Sequence, residues 1–113
     1  MRSHKKTTLL VDTIKMHFPA ILAELIGTFI FFFVIVATGN AYAIGATLTL
    51  VILLFGKLSG GHFNPGVTMM MLWKQNLFMD TAIMFMLVQV VAGIAAVETW
   101  RQLVAAGILP SKK

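Results

Sequence analysis

A short set of side chains decides what chemistry this chain can carry. Cysteine is absent, so no disulfide, thiolate metal site or cysteine nucleophile can form. Four acids (Asp12, Glu24, Asp80, Glu98) and three histidines (His4, His17, His62) are scattered over 113 residues. No two carboxylates fall together and no nucleophile stands beside a base, so nothing supports an enzyme. Met69-Met70-Met71 has the thioethers a soft metal prefers, but successive helical residues point about 100° apart and cannot converge on one ion. Neither a metal nor a cofactor is expected. What is left is a few polar groups in apolar surroundings: Glu24, Gln89, and the run Ser59-Gly60-Gly61-His62-Phe63-Asn64-Pro65-Gly66-Val67-Thr68.

The surroundings are those of a membrane protein. Hydrophobic residues make up 58 % of the chain and charged ones 12 %, against about 25 % charged in soluble domains. Nine Lys and Arg give a net charge of +5. Their placement excludes a nucleic-acid binder, which carries its basic residues along one folded face. Leu25 to Gly56 is a stretch of 32 uncharged residues and Thr81 to Val97 adds 17 more. The basic residues gather instead toward the ends, as topology signals do.

Residues 1–18 form a basic N-terminal segment. A secretory signal has an apolar core of about 7–15 residues; Ala20 to Thr38 offers 19, and further apolar segments follow. Residues 19–38 are therefore predicted as a retained first span, opened by Pro19, which a helix tolerates at its start. Gly39-Asn40 breaks the chain. Residues 43–58 form the second span, residues 79–97 the third, flanked by Trp73 and Trp100 as interfacial anchors, and 98–113 a tail.

Between spans two and three, residues 59–73 combine a helix-breaking loop with an apolar stretch. From Asn64 to Trp73 a helix rises only about 15 Å, half a bilayer. Hydropathy alone also allows a loop lying on the membrane surface. The loop's composition favours a re-entrant half-helix, and irregular backbone at that depth is tolerated only where protein buries it or it lines a watery cavity. The expected fold is an all-α membrane protein with three transmembrane helices and one re-entrant half-helix.

The run Ser59 to Thr68 resembles the first signature loop of the aquaporin, or major intrinsic protein, family of water and glycerol channels. The family pattern is Ser-Gly-Ala/Gly-His-x-Asn-Pro-Ala-Val-Thr, matched at nine of ten positions with Gly66 in place of Ala. Ala23-Glu24-Leu25-Ile26-Gly27-Thr28-Phe29 resembles the family's first helix, and Gln89-Val90-Val91-Ala92-Gly93 its third. These matches cover Pro19 to Val97, the first half of the family's right-handed helix bundle.

The resemblance implies roles for individual residues. Asn64, Pro65 and Gly66 would start a half-helix whose free N–H groups and positive dipole end face a pore, where the Asn64 amide donates to a passing oxygen. The plainer alternative makes Asn64 only an N-cap. Glycine at 66 costs about 1 kcal/mol relative to Ala in a helix and loosens the constriction. Gly60 and Gly61 would let loop carbonyls line the pore. Glu24 would brace the loop with His62 as its partner, or else reach for water at the helix end. Gln89 would hold loop backbone or glue helices together, and Gly27 and Gly93 would allow close helix contacts. By spacing back from Asn64, Ile44 would take the second-helix position of an outer filter, and Lys57 would snorkel to the cytoplasmic surface or else face the pore.

A family channel needs two inverted halves, and no second Asn-Pro-Ala loop or filter arginine occurs in these 113 residues; Arg101 follows no such loop. The chain is thus expected to act as a half-length, multi-pass channel polypeptide for passive movement of water or small neutral solutes such as glycerol. It would sit in a lipid bilayer and pair, as a homo- or hetero-oligomer, with another aquaporin-like half or an inverted copy of itself. With a cytoplasmic N-terminus, Arg2, Lys5, Lys6, Lys15, Lys57 and Lys74 lie inside and Arg101, Lys112 and Lys113 outside, six against three, which favours one orientation and disfavours the inverted copy. A non-conducting subunit that packs against a full-length channel, and a truncated remnant, are the competing readings.

Overall fold

The computed structural model describes residues 17–111. Most of the basic segment 1–18, and Lys112 and Lys113, lie outside the described residues. Within them the chain is all-helical: α1 (Phe18–Thr38), α2 (Ala41–Ser59), α3 (Pro65–Trp73) and α4 (Met79–Ala105). Three of these, α1, α2 and α4, are long and apolar enough to cross a membrane. The nine-residue α3 is not.

Local signals fix most boundaries. Gly39 ends α1 in the left-handed conformation at φ 56°, its N–H donating to the Ile35 carbonyl. Asn40 then caps α2 by accepting from the Ala43 N–H at 2.9 Å. Lys57, in the last turn of α2, is exposed and suits the negative end of the helix dipole. Gly60, at φ 97°, closes α2. The third long helix departs from expectation: it runs 27 residues, to Ala105 rather than 97. That is about 40 Å of helix against a ~30 Å hydrocarbon core. Glu98, Arg101 and Gln102 are good helix formers, so the helix continues past the apolar stretch, and Arg101 pairs with Glu98 on its exposed side.

α1 packs against both α2 and α4, and α3 packs against α4. The α1–α4 contact is made by small residues. Ala20 and Ala23 on α1 and Ala82, Ala92 and Ala96 on α4 are buried, which lets backbones approach where lipid offers no hydrophobic drive. Gly93 serves this contact as well: a Cβ there would stand 3.1 Å from the Phe32 ring. Larger side chains, Ile21 and Phe85, fill the end nearest the start of α1. On α2 the situation is reversed. Only Val51 is buried, while Leu50, Leu53, Leu54 and Leu58 are exposed and apolar.

An exposed ion pair on an α-helix contributes little, so Arg101→Ala is expected to change stability by less than about 0.5 kcal/mol. Thermal unfolding in detergent checks this.

Candidate functional site

The loop from Ser59 to Asn64 is threaded past α1 and then reverses into α3. Its backbone takes the left-handed region at three of four consecutive residues, Gly60 (φ 97°), Gly61 (φ 70°) and Phe63 (φ 57°). Glycine adopts such angles without strain; phenylalanine does not. Phe63 is nevertheless fully buried, so its surroundings must hold it there.

Glu24 does much of that holding. Its carboxylate is completely buried and accepts four hydrogen bonds. Oε2 accepts from the Ser59 hydroxyl (2.6 Å) and the His62 backbone N–H (3.0 Å). Oε1 accepts from the Phe63 backbone N–H (2.7 Å) and from Gln89 Nε2 (2.9 Å). A buried acid in a span is costly unless its oxygens are satisfied, and here each has two donors. The contact to His62 runs through its main chain; the imidazole is elsewhere, with Nδ1 2.9 Å from Thr68 Oγ1 and the ring edge-on to Phe85.

The far side of Asn64 is tied down too. Gln89 on α4 donates through Nε2 to Thr68 Oγ1 at 2.8 Å, as well as to Glu24. One amide nitrogen thereby joins α1, α3 and α4. The loop is gripped before Asn64 by Glu24 and after it by Gln89, so the residue between has little freedom.

Asn64 itself is exposed, with extended backbone (φ −167°), and its Oδ1 accepts from the Gly66 N–H at 2.7 Å. Pro65 follows in the first turn of α3, where a missing N–H loses nothing. The side-chain oxygen thus caps the helix, leaving the amide hydrogens to point away from it. Gly66 is tight: a Cβ would lie 3.1 Å from Asn64 Oδ1. Among the described residues no group donates to the carbonyl oxygens of Gly60, Gly61, His62 or Phe63.

The structure therefore brings together Glu24, Gln89, Gly60, Gly61, His62, Asn64, Pro65 and Gly66. It leaves Ile44 apart, half-buried in the first turn of α2, about 22 Å along the helix from the loop. Gly27 corrects the expected role. Its missing side chain makes room for the Phe63 ring, whose nearest carbon would be 2.2 Å from a Cβ, rather than for a neighbouring helix. Three contributors were not singled out by sequence: Ser59, Thr68 and Phe63. The first two carried a signal, being hydroxyls inside an otherwise apolar motif. Phe63 carried none, since it is an aromatic among aromatics.

Two buried polar atoms, Thr28 Oγ1 and Gln89 Oε1, have no hydrogen-bond partner among the described residues. An unpaired buried hydroxyl is a net cost. Thr28→Val keeps the shape and removes the hydroxyl, so it is expected to stabilise the protein by about 1 kcal/mol. A higher melting temperature in detergent is the expected result, and a lower one would show that the hydroxyl is satisfied.

The comparisons with known proteins agree with this geometry. The family described as Major intrinsic protein matches residues 11–109. Among curated relatives, the chain is 37 % identical over 94 residues to glycerol uptake facilitator protein-like 6 of Lactiplantibacillus plantarum, covering 75 % of this chain and 44 % of the relative. It is 33 % identical over 121 residues to aquaporin-2 of Botryotinia fuckeliana, covering 86 % and 31 %. With the probable aquaporin PIP2-6 of Oryza sativa it shares 28 % over 99 residues, covering 71 % and 35 %. No solved structure gives a significant match. The chain spans less than half the length of these relatives. The profile covers nearly all of the chain and the signature loop is built as a braced half-helix, so the chain belongs to the major intrinsic protein family and is an integral, multi-pass membrane protein.

Proposed function

We propose that this chain is one half of a passive channel for water or small neutral solutes such as glycerol, completed by a second aquaporin-like half or by an inverted copy of itself. Family membership makes it a channel component and not an enzyme. The observation that carries the reading is the division of labour at Asn64. Its carbonyl oxygen caps α3, so its amide hydrogens face away from the helix at the positive end of the dipole, able to replace a hydrogen bond that a dehydrating solute loses. The carbonyls of Gly60 to Phe63, which accept from no donor among the described residues, supply acceptors leading to that donor. A donor at a positive helix end serves neutral polar solutes and opposes cations. A relative named as a glycerol uptake facilitator-like protein and another named as an aquaporin support this choice of solutes.

The N-terminus is cytoplasmic in this proposal, because the basic residues then divide six inside to three outside. Ser59 and the entry to α3 accordingly face the cytoplasm, and Asn40 the opposite side. The test is osmotic swelling, followed by light scattering, of vesicles holding this chain alone and of vesicles holding it with a complementary half. Faster water or glycerol entry than bare lipid in either sample supports the proposal. Bare-lipid rates in both overturn it.

A further inference from the structure

Glu24 and Gly27 stand three residues apart on α1, so they share a face one turn apart, and the loop uses both. Glu24 takes the backbone N–H groups of His62 and Phe63. Gly27 takes the ring of Phe63: a Cβ on Gly27 would lie 2.2, 2.6 and 2.9 Å from three carbons of that ring. No real side chain tolerates such distances, so the ring occupies the volume that any other residue at 27 would need.

The ring has no room to yield. Phe63 is 0 % exposed, its ring stands T-shaped to that of Phe55 with centroids 6.5 Å apart, and its backbone is held at φ 57°. That angle is unfavourable for a bulky residue and persists only where surrounding contacts over-determine it. The next residue is Asn64. A displaced ring must therefore drag the Asn64 amide with it, because the Phe63 N–H is tied to the same helix that carries the notch.

We infer that Phe63 and Gly27 form a size-matched key and notch that sets where Asn64 sits, which makes both of them positioning residues for the loop amide. The inference rests on the reading of the loop as the pore constriction, yet its test needs no solute flux. The chain contains no cysteine, so a single introduced thiol reports unambiguously. Val67→Cys, on the first turn of α3, reports on the loop; Val97→Cys, at the α1–α4 contact beside Phe32, reports on the bundle.

The full chain is reconstituted in phosphatidylcholine–phosphatidylglycerol vesicles and labelled with a charged methanethiosulfonate reagent. Gly27→Ala is expected to change the labelling rate at 67 by roughly fivefold or more while leaving 97 within about twofold, since a local opening differs from a global one. Adding Phe63→Leu, which withdraws the ring edge, is expected to return the rate at 67 to within about twofold of the parent. No change at 67, equal changes at 67 and 97, or no recovery with leucine would each overturn the inference. If Gly27→Ala alone does not fold, circular dichroism of the pair with Phe63→Leu decides: recovered helicity supports the key and notch, and none overturns it. Bare-lipid swelling both alone and with a complementary half, together with the expected labelling behaviour, would sink the channel reading and leave this one standing.

Discussion

Glu24→Gln is expected to destabilise the protein by roughly 3 kcal/mol and to release the signature loop. The reason is the way the donors are distributed. Each carboxylate oxygen accepts one backbone N–H and one side-chain donor: His62 and Ser59 on Oε2, Phe63 and Gln89 on Oε1. A glutamine offers one acceptor oxygen and one NH2 group. Whichever way the amide is turned, its NH2 faces a backbone N–H that cannot rotate out of the way. One buried main-chain donor is left without a partner, at about 1–3 kcal/mol, and the bonds that survive lose the strengthening a charged acceptor gives. Against a total stability of about 5–15 kcal/mol this is a large fraction.

The measurement is denaturant or thermal unfolding of the full chain in detergent, monitored by circular dichroism. Glu98→Gln is the matched control, since Glu98 is exposed and, among the described residues, pairs with Arg101 on the same helix. That variant is expected to shift stability by less than about 1 kcal/mol. Equal effects of the two substitutions would show that the Glu24 bonds do not hold the fold together.

The contrast between Glu24 and its expected partner shows what the sequence could and could not disclose. That a lone acid in the first span is either internally bonded or reaches for water at the helix end followed from the cost of burying it. That its partners are mostly backbone did not, because a main-chain N–H has no sequence signature. The expected partner His62 bonds Glu24 through its peptide N–H, while its ring goes to Thr68. The half-helix was legible because Asn64-Pro65 is a local start signal and an apolar stretch follows it. The end of α4 was not, since the apolar stretch and the helix are different things: hydropathy stops at Val97 and helix propensity carries on to Ala105. Phe63 was hidden for a similar reason. Its role depends on an absent side chain at Gly27, thirty-six positions earlier, and on a backbone angle that residue type argues against.

Asn64→Asp is expected to leave the fold in place and abolish most of the flux. Aspartate is as good a helix cap as asparagine, so its carboxylate keeps the bond to the Gly66 N–H that Asn64 Oδ1 makes at 2.7 Å. The added negative charge at the N-terminus of α3 interacts favourably with the dipole, by about 0.3–1 kcal/mol. Stability should hold or rise slightly. What the substitution removes is the pair of amide hydrogens, and what it adds is an anion where the helix end had presented a positive potential. A neutral solute then loses the donor that replaces its hydration, and a cation gains a binding site. Solute permeability should fall by roughly tenfold or more, with measurable cation leakage in its place. Swelling assays and potassium efflux on the same vesicles, made with this chain and a complementary half, read both quantities at once. Unchanged permeability with unchanged stability would mean that Asn64 only caps a helix, and would favour a subunit that packs against a channel without conducting. A parallel loss of stability would mean that the carboxylate cannot take over the cap, and the separation of capping from solute contact would fail.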